Sequence, residues 1–299
     1  MRGYWATLFL LAAIWGASYL FIEVGVRDIP PAALTFLRLS LATLLLVGYT
    51  AHRLGARRTL EELRAAWRTC LVLGVINAAL PMTLVAWGQT HIDSSVAAIA
   101  QASVPIFVVL LSLRFLPHEP IGPSGVVGLA LGICGVALIT GLNPEGGWWA
   151  VAGTLAVVAS SLSYAAGGVF GQLRVRNTPG PVLATGSMLF GALALLPFAI
   201  AEPQTGAPGA KAIVALLALA LLPTFVGQLL LFRMLRLYGS PRMSLVTYLM
   251  PGFAVVYGVT LLGEPLSGTA IGGLALILGG VALASGQRLF GTRAQESAA

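Results

Sequence analysis

Residues Glu119–Leu138 read EPIGPSGVVGLALGICGVAL, and residues Glu264–Leu283 read EPLSGTAIGGLALILGGVAL. The two segments lie 145 residues apart and agree at ten of twenty positions. Low-complexity apolar sequence matches itself easily, but a shared Glu-Pro entry followed by GLAL and GVAL exceeds composition. The offset extends outward, relating Ser18-Tyr19 to Ser163-Tyr164. With a slip of one residue it also relates Pro105 to Pro251. The chain therefore reads as two copies of one unit, residues 1–145 and 146–299.

Each copy is built for a membrane. Of the 299 residues, 58% are hydrophobic and 9% charged, against about 25% charged in soluble domains. So little charge cannot cover a water-facing surface, which excludes a soluble enzyme, a disordered chain and a soluble nucleic-acid binder. A membrane helix needs about 20 largely apolar residues. Ten runs qualify: 4–24, 31–51, 67–88, 94–116, 122–141, 148–171, 179–200, 211–235, 243–263 and 267–286. They are continuously apolar rather than alternating, so they predict helices and not a barrel. The first run is longer than a usual signal core and is read as a span. Cys70 and Cys134 lie in apolar runs, form no disulfide framework and are expected to be small buried hydrophobes.

Sixteen Arg and one Lys give a net charge of +7. Their order sets the topology. With the N-terminus in the cytoplasm, fourteen basic residues fall on the cytoplasmic side, two (Arg27 and Lys211) on the other, and Arg38 inside a span. Both termini are then cytoplasmic, and anchoring accounts for the basic patches without nucleic acid. Five spans per copy is an odd number, so the second copy enters the membrane from the opposite side. The expected fold is an all-α polytopic membrane protein, ten transmembrane helices as two inverted five-helix repeats around a central cavity. Inverted repeats characterise transporters, in which the copies exchange conformations to give alternating access.

Proline removes a backbone donor inside a helix, and the carbonyl it frees needs another partner. Paired interruptions point to a binding site. Pro105 and Pro251 lie roughly 13–17 Å into the fourth and ninth spans. Pro81 and Pro223 occupy the third and eighth in looser register. At similar depth lie Trp15, Ser18 and Tyr19 (first span), Asn77 (third), Gln101 (fourth), Ser160, Ser161, Ser163 and Tyr164 (sixth), Gln228 (eighth), and Thr247 and Tyr248 (ninth). The candidate substrate-binding set is Trp15, Tyr19, Asn77, Gln101, Ser160, Tyr164, Gln228 and Tyr248. Hydroxyls often bond their own helix, aromatic rings often only pack, and the carboxamides serve equally as ties between helices or as cavity lining.

Arg38 is the one charge well inside a span, about 10 Å from its outer end. It contacts substrate or a gate, or it is structural. The ten acids lie near span ends. Glu119 and Glu264 precede Pro at helix starts, where a carboxylate opposes the helix dipole. With no Asp, Glu or His at the membrane centre, facilitated diffusion is expected rather than proton coupling. Gly128 and Gly132, like Gly268 and Gly272, have the spacing of close helix contacts, within one chain or across a dimer. No metal site or cofactor is expected.

These residues resemble the EamA-type half-domain of the drug/metabolite transporter superfamily. The likeness rests on Trp15-Gly16-Ala17-Ser18-Tyr19, Pro31, Arg38, Ala98, Pro105, Glu119-Pro120 and the Gly-rich fifth span. In the second copy it rests on Pro251, Glu264-Pro265 and Gly273–Leu283. The sixth span lacks the Trp-Gly pair. The resemblance covers nearly the whole chain and implies export of small metabolites across a bacterial inner membrane. Overall likeness is greatest to YddG-type exporters of aromatic and other neutral amino acids. The partners implied are a small-molecule substrate and the lipid bilayer, with monomer and homodimer both open. Drug and nucleotide-sugar carriers share the fold. A sugar phosphate would want several buried cations, and a quaternary cation a buried acid. An intramembrane enzyme would need a base beside Ser160 or Ser163, and a channel a continuous polar path.

Overall fold

A computed structural model of the chain describes residues 2–115, 123–140, 147–174, 178–203, 206–231, 233–234, 237 and 246–296. Every regular element among them is helical. In chain order they are α1 Arg2–Gly25, α2 Pro31–Leu54, α3 Ala56–Ala65, α4 Trp67–Gly74, α5 Leu80–Gly88, α6 Ser94–Gln101, α7 Val104–Phe115, α8 Pro123–Thr140, α9 Gly147–Arg174, α10 Gly180–Ala201, α11 Ala210–Leu219, α12 Val246–Tyr257 and α13 Gly268–Glu296. Wider π-type turns follow α4 at Val75–Ala79, α11 at Ala220–Val226 and α12 at Gly258–Leu262.

Seven helical stretches among the described residues are long and apolar enough to cross a membrane: 3–25, 31–54, 67–88, 94–111, 147–173, 180–201 and 210–231. Three shorter apolar helices, Val126–Leu138, Leu249–Leu262 and Gly268–Gly280, fall within the fifth, ninth and tenth expected spans. The outward faces are as apolar as the core. Leu44, Phe198, Ile200 and Val214 are all more than 60% exposed, which suits lipid and not water. The connection after α2 contains α3, an exposed helix carrying Arg57–Glu61 and Arg58–Glu62 pairs at i,i+4 spacing.

Lipid removes the hydrophobic drive between helices, so small residues and close contact must hold them. α4 packs on α10 where a Cβ on Gly74 would lie 2.8 Å from both the Gly191 nitrogen and the Ser187 carbonyl oxygen. α8 packs on α13, where a Cβ on Gly135 would lie 2.8 Å from the Gly273 carbonyl oxygen. Of the glycines expected to mediate contact, Gly132 meets Ile106 and Gly272 meets Leu138 within the chain, while Gly268 faces open space. Cys70 is buried, but Cys134 is exposed. One face of α8 is spent on α13, and Cys134 lies with Ile133 and Val126 on the remainder, contrary to the expectation that both thiols are buried.

The pairing of stretches has a pattern. Number the ten apolar stretches in chain order, with α4–α5 as the third and α6–α7 as the fourth. The first packs on the eighth and ninth, and the sixth packs on the third and fourth. The second packs on the seventh, and the fifth on the tenth. Exchanging each stretch of the first five with the one five places later leaves this pattern unchanged. Two of the three π turns obey the same rule. They begin at Val75 in the third stretch and Ala220 in the eighth, again 145 residues apart, whereas the turn at Gly258–Leu262 in the ninth has no counterpart among the described residues of the fourth.

Candidate functional site

The turn at Ala220–Val226 contains Pro223. Without a Pro223 N–H, the Leu219 carbonyl loses its ordinary helical partner. The Thr224 hydroxyl replaces it, donating to the Leu219 oxygen at 2.7 Å. The same hydroxyl accepts from Arg38 Nε at 2.7 Å. The Pro223 carbonyl accepts from Trp15 Nε1 at 3.1 Å. One break thus ties α1 and α2 to the eighth stretch. The matching break in the third stretch is held from α9, whose Ser163 hydroxyl donates to the Ile76 carbonyl at 2.6 Å. Asn77 sits on this turn, pressed so closely to α9 that a Cβ on Gly167 would lie 2.7 Å from its Oδ1.

Beside the eighth-stretch break Arg38 is 7% exposed and lies within electrostatic reach of Tyr19 and Tyr164. Among the described residues no carboxylate forms an ion pair with it, and its one hydrogen bond runs from Nε to Thr224. Trp15, Tyr19 and Tyr164 from the sequence set therefore gather with Arg38 at the eighth-stretch break, while Asn77 packs on α9 at the matching turn of the third stretch. Tyr19 is buried; Trp15, Asn77 and Tyr164 are half-buried.

Gln101 and Ser160 form a separate unit. Ser160 donates to Gln101 Oε1 at 2.7 Å, and Gln101 Nε2 donates to Ser161 Oγ at 3.1 Å. All three side chains are buried, so this carboxamide ties α6 to α9. The tie sits where Pro105, at the start of α7, withholds an N–H from the Gln101 carbonyl; Ser161 Oγ approaches that oxygen at 3.5 Å. Gln228 is half-buried just past the eighth-stretch turn, and none of these hydrogen bonds reaches it. The Tyr248 side chain lies outside the described ones, and Glu119 lies outside the described residues. Of the four prolines, Pro81 follows the first π turn, Pro223 lies in the second and Pro105 follows a break. Pro251 differs, because α12 runs through it and widens only at Gly258.

Three further carboxylates act at one end of the bundle. Glu202 Oε2 accepts from the Ala32 and Ala33 backbone N–H groups, both at 3.0 Å, at the start of α2. Glu264 accepts from the Ser94 and Ser95 N–H groups, both at 2.9 Å, and from the Ser95 hydroxyl, at the start of α6. Asp28 accepts from Gly209 N–H at 2.9 Å, just before α11. Each carboxylate satisfies otherwise unpaired N–H groups of a helix start, and each joins residues below 145 to residues above it. Glu264 was expected to oppose the dipole of its own following helix. That helix begins four residues later, at Gly268, where the Ser267 hydroxyl accepts from Ala270 N–H, so the carboxylate is free to serve α6. Burial, and then the Glu264 charge, raise the Asp93 carboxyl above its ordinary value.

Thr224 and these long-range carboxylate caps were absent from the sequence set. A Thr directly after an intrahelical Pro, five residues from the carbonyl it caps, was a readable signal. The long-range caps were not, because their partners are backbone groups 169–181 residues away. A cleft of about 310 Å³ between α2, α10 and α11 is lined mainly by apolar residues such as Phe36, Leu196 and Ile213, and none of the candidate substrate-binding residues lines it. Among the described residues no group of three His, Cys, Asp or Glu could hold a metal ion.

Comparison with known proteins matches this architecture. The model of the EamA-like transporter family fits residues 3–141 and again residues 151–286. The inner membrane transporter YedA of Escherichia coli K12 is 30% identical over 266 residues, 87% of this chain and 83% of that protein. A transporter of Archaeoglobus fulgidus is 27% identical over 93% of this chain and 96% of its own length. A probable amino-acid metabolite efflux pump of Salmonella typhimurium LT2 is 25% identical over 97% of this chain and 95% of its own. One crystal structure superposes with a TM-score of 0.67 at 22% identity, covering 97% of this chain and 99% of that one, a likeness of fold. The chain, matched along both of its halves, belongs to the EamA-like transporter family.

Proposed function

We propose that the chain is an alternating-access exporter of neutral amino acids and related small metabolites in the bacterial inner membrane, working as a facilitator. The observation that carries this reading is the polar cluster of Trp15, Tyr19, Arg38 and Tyr164 at one π-broken helix, with Asn77 on the matching break of the other. Broken helices at matched positions are the usual place for a carrier's site. Residues 1–145 and 146–299 act as two inverted five-span repeats. The twofold match to one family model, the exchangeable packing and the π turns 145 residues apart support this. Both termini lie in the cytoplasm, on the arginine-rich side. The Asp28, Glu202 and Glu264 bonds then close the opposite, outer end, with the site open inward. The name of the Salmonella relative supports amino-acid metabolites, and likeness to YddG-type exporters puts aromatic ones among them. Gln101 and Ser160 tie α6 to α9 behind the site. Membership in a transporter family favours a carrier over an enzyme.

The test is counterflow in liposomes loaded with unlabelled threonine, methionine or phenylalanine, with and without a pH gradient. The expected result is saturable uptake of the labelled partner that ignores the gradient. A fixed proton-to-substrate stoichiometry contradicts the facilitator. No exchange by folded protein removes amino acids and moves the test to drugs and nucleotide sugars.

A further inference from the structure

We propose that Arg38 is the carboxylate-recognising residue of the central site, so that the chain selects substrates bearing a single free carboxylate. The proposal rests on the amino-acid reading above and adds to it the group that is recognised. A guanidinium carries five N–H donors and cannot be neutralised at physiological pH. Among the described residues one donor, Nε, is used, on a neutral hydroxyl at 2.7 Å. The residue is 7% exposed, and no carboxylate among the described residues pairs with it.

A buried charge without a counter-charge is costly, and in a membrane it is kept where a partner arrives during function. Nε points at the helix break, and the two Nη groups form the edge of the fork that matches both oxygens of a carboxylate. The position is fixed from behind. Thr224 anchors Nε and is itself anchored on the Leu219 carbonyl, so the fork is oriented before a ligand arrives. Tyr19 and Tyr164, within electrostatic reach, supply hydroxyls and rings for the rest of a small ligand. One cation answers one negative charge, which favours a carboxylate over a dianionic phosphate ester.

A purely structural Arg38, holding the eighth-stretch break through Thr224, would not distinguish substrates by their carboxylate. The test uses wild type and Arg38→Lys in liposomes, with labelled L-methionine counterflow competed by L-methionine, methioninol and 3-(methylthio)propylamine. Methioninol replaces the carboxylate by CH2OH, and the amine lacks it altogether. In wild type both analogues should compete at least about tenfold more weakly than methionine, the scale of one lost charge-assisted pair. Arg38→Lys keeps the charge but loses the fork. It should raise KM for methionine with a smaller effect on kcat, while the protein still elutes as a folded species. Equal competition by all three compounds on wild type overturns the inference and leaves the amino-acid reading standing, and needs no variant to fold. So does an unchanged KM in folded Arg38→Lys. Absence of any amino-acid counterflow in wild type overturns the amino-acid reading, and the inference with it.

Discussion

Glu264→Gln is expected to loosen one end of the bundle and expose the start of α6. The Glu264 carboxylate accepts two backbone N–H groups at 2.9 Å and the Ser95 hydroxyl at a site 9% exposed. A carboxamide has one accepting oxygen, and its NH2 would face a backbone N–H. At least one charge-assisted bond is lost, worth about 1.5–3 kcal/mol, and a buried donor is left without a partner. The substitution should lower the melting temperature in detergent. It should also raise labelling of Ser94→Cys by an impermeant maleimide, in a background carrying Cys134→Ala. If that end forms the closed outer gate, labelling rises from the outer face only. Unchanged melting and unchanged labelling would show that the three carboxylate bonds do not hold the gate. Glu202→Gln should act in the same direction at α2.

Gly74→Leu should abolish the fold. A Cβ there meets backbone atoms of α10 at 2.8 Å on two sides, and backbone cannot rotate away. The reverse contact is equally tight, since a Cβ on Gly191 would lie 2.9 Å from the Gly74 carbonyl oxygen. The single methyl of Gly74→Ala already forces α4 and α10 apart, at about 1–3 kcal/mol. The leucine side chain removes the contact altogether, in a bilayer where close contact is what joins helices. Gly48→Ala supplies the opposite sign. Nothing lies within 4 Å of a Cβ there, and a helical Ala is favoured over Gly by about 0.5–1 kcal/mol. Size-exclusion chromatography of a fluorescent fusion should therefore give no monodisperse peak for Gly74→Leu and a normal peak for Gly48→Ala. A normal peak for Gly74→Leu would contradict the packing.

Hydropathy located the helices because lipid forces each span to satisfy its own backbone and to be apolar on every side. The same uniformity hid which faces meet. Cys134 looks as apolar in sequence as Cys70, yet one is exposed and the other buried. Proline marked the breaks at 75–79 and 220–226, since a missing N–H is a local property. It could not say that α12 would run through Pro251, which depends on what surrounds the helix. Tyr19, Asn77, Tyr164 and Arg38 were legible as polar groups too deep for lipid. That Gln101 would spend its amide on Ser160 and Ser161 was not, because a carboxamide serves a cavity and a tie equally well. Glu264 was noticed for its Pro neighbour and assigned to the wrong helix start, since no local pattern records a partner 170 residues away.

A carrier of the proposed kind holds one midplane site opened alternately to either side. The most direct measurement places a cysteine at Asn77, on the third-stretch turn, with both native cysteines replaced by alanine. Impermeant thiol reagent is then applied to right-side-out and inside-out vesicles. Labelling is expected from each face, slowed from both by methionine, with no ion leak across the vesicle membrane. Labelling from one face alone under every condition, or a leak that accompanies labelling, would contradict alternating access.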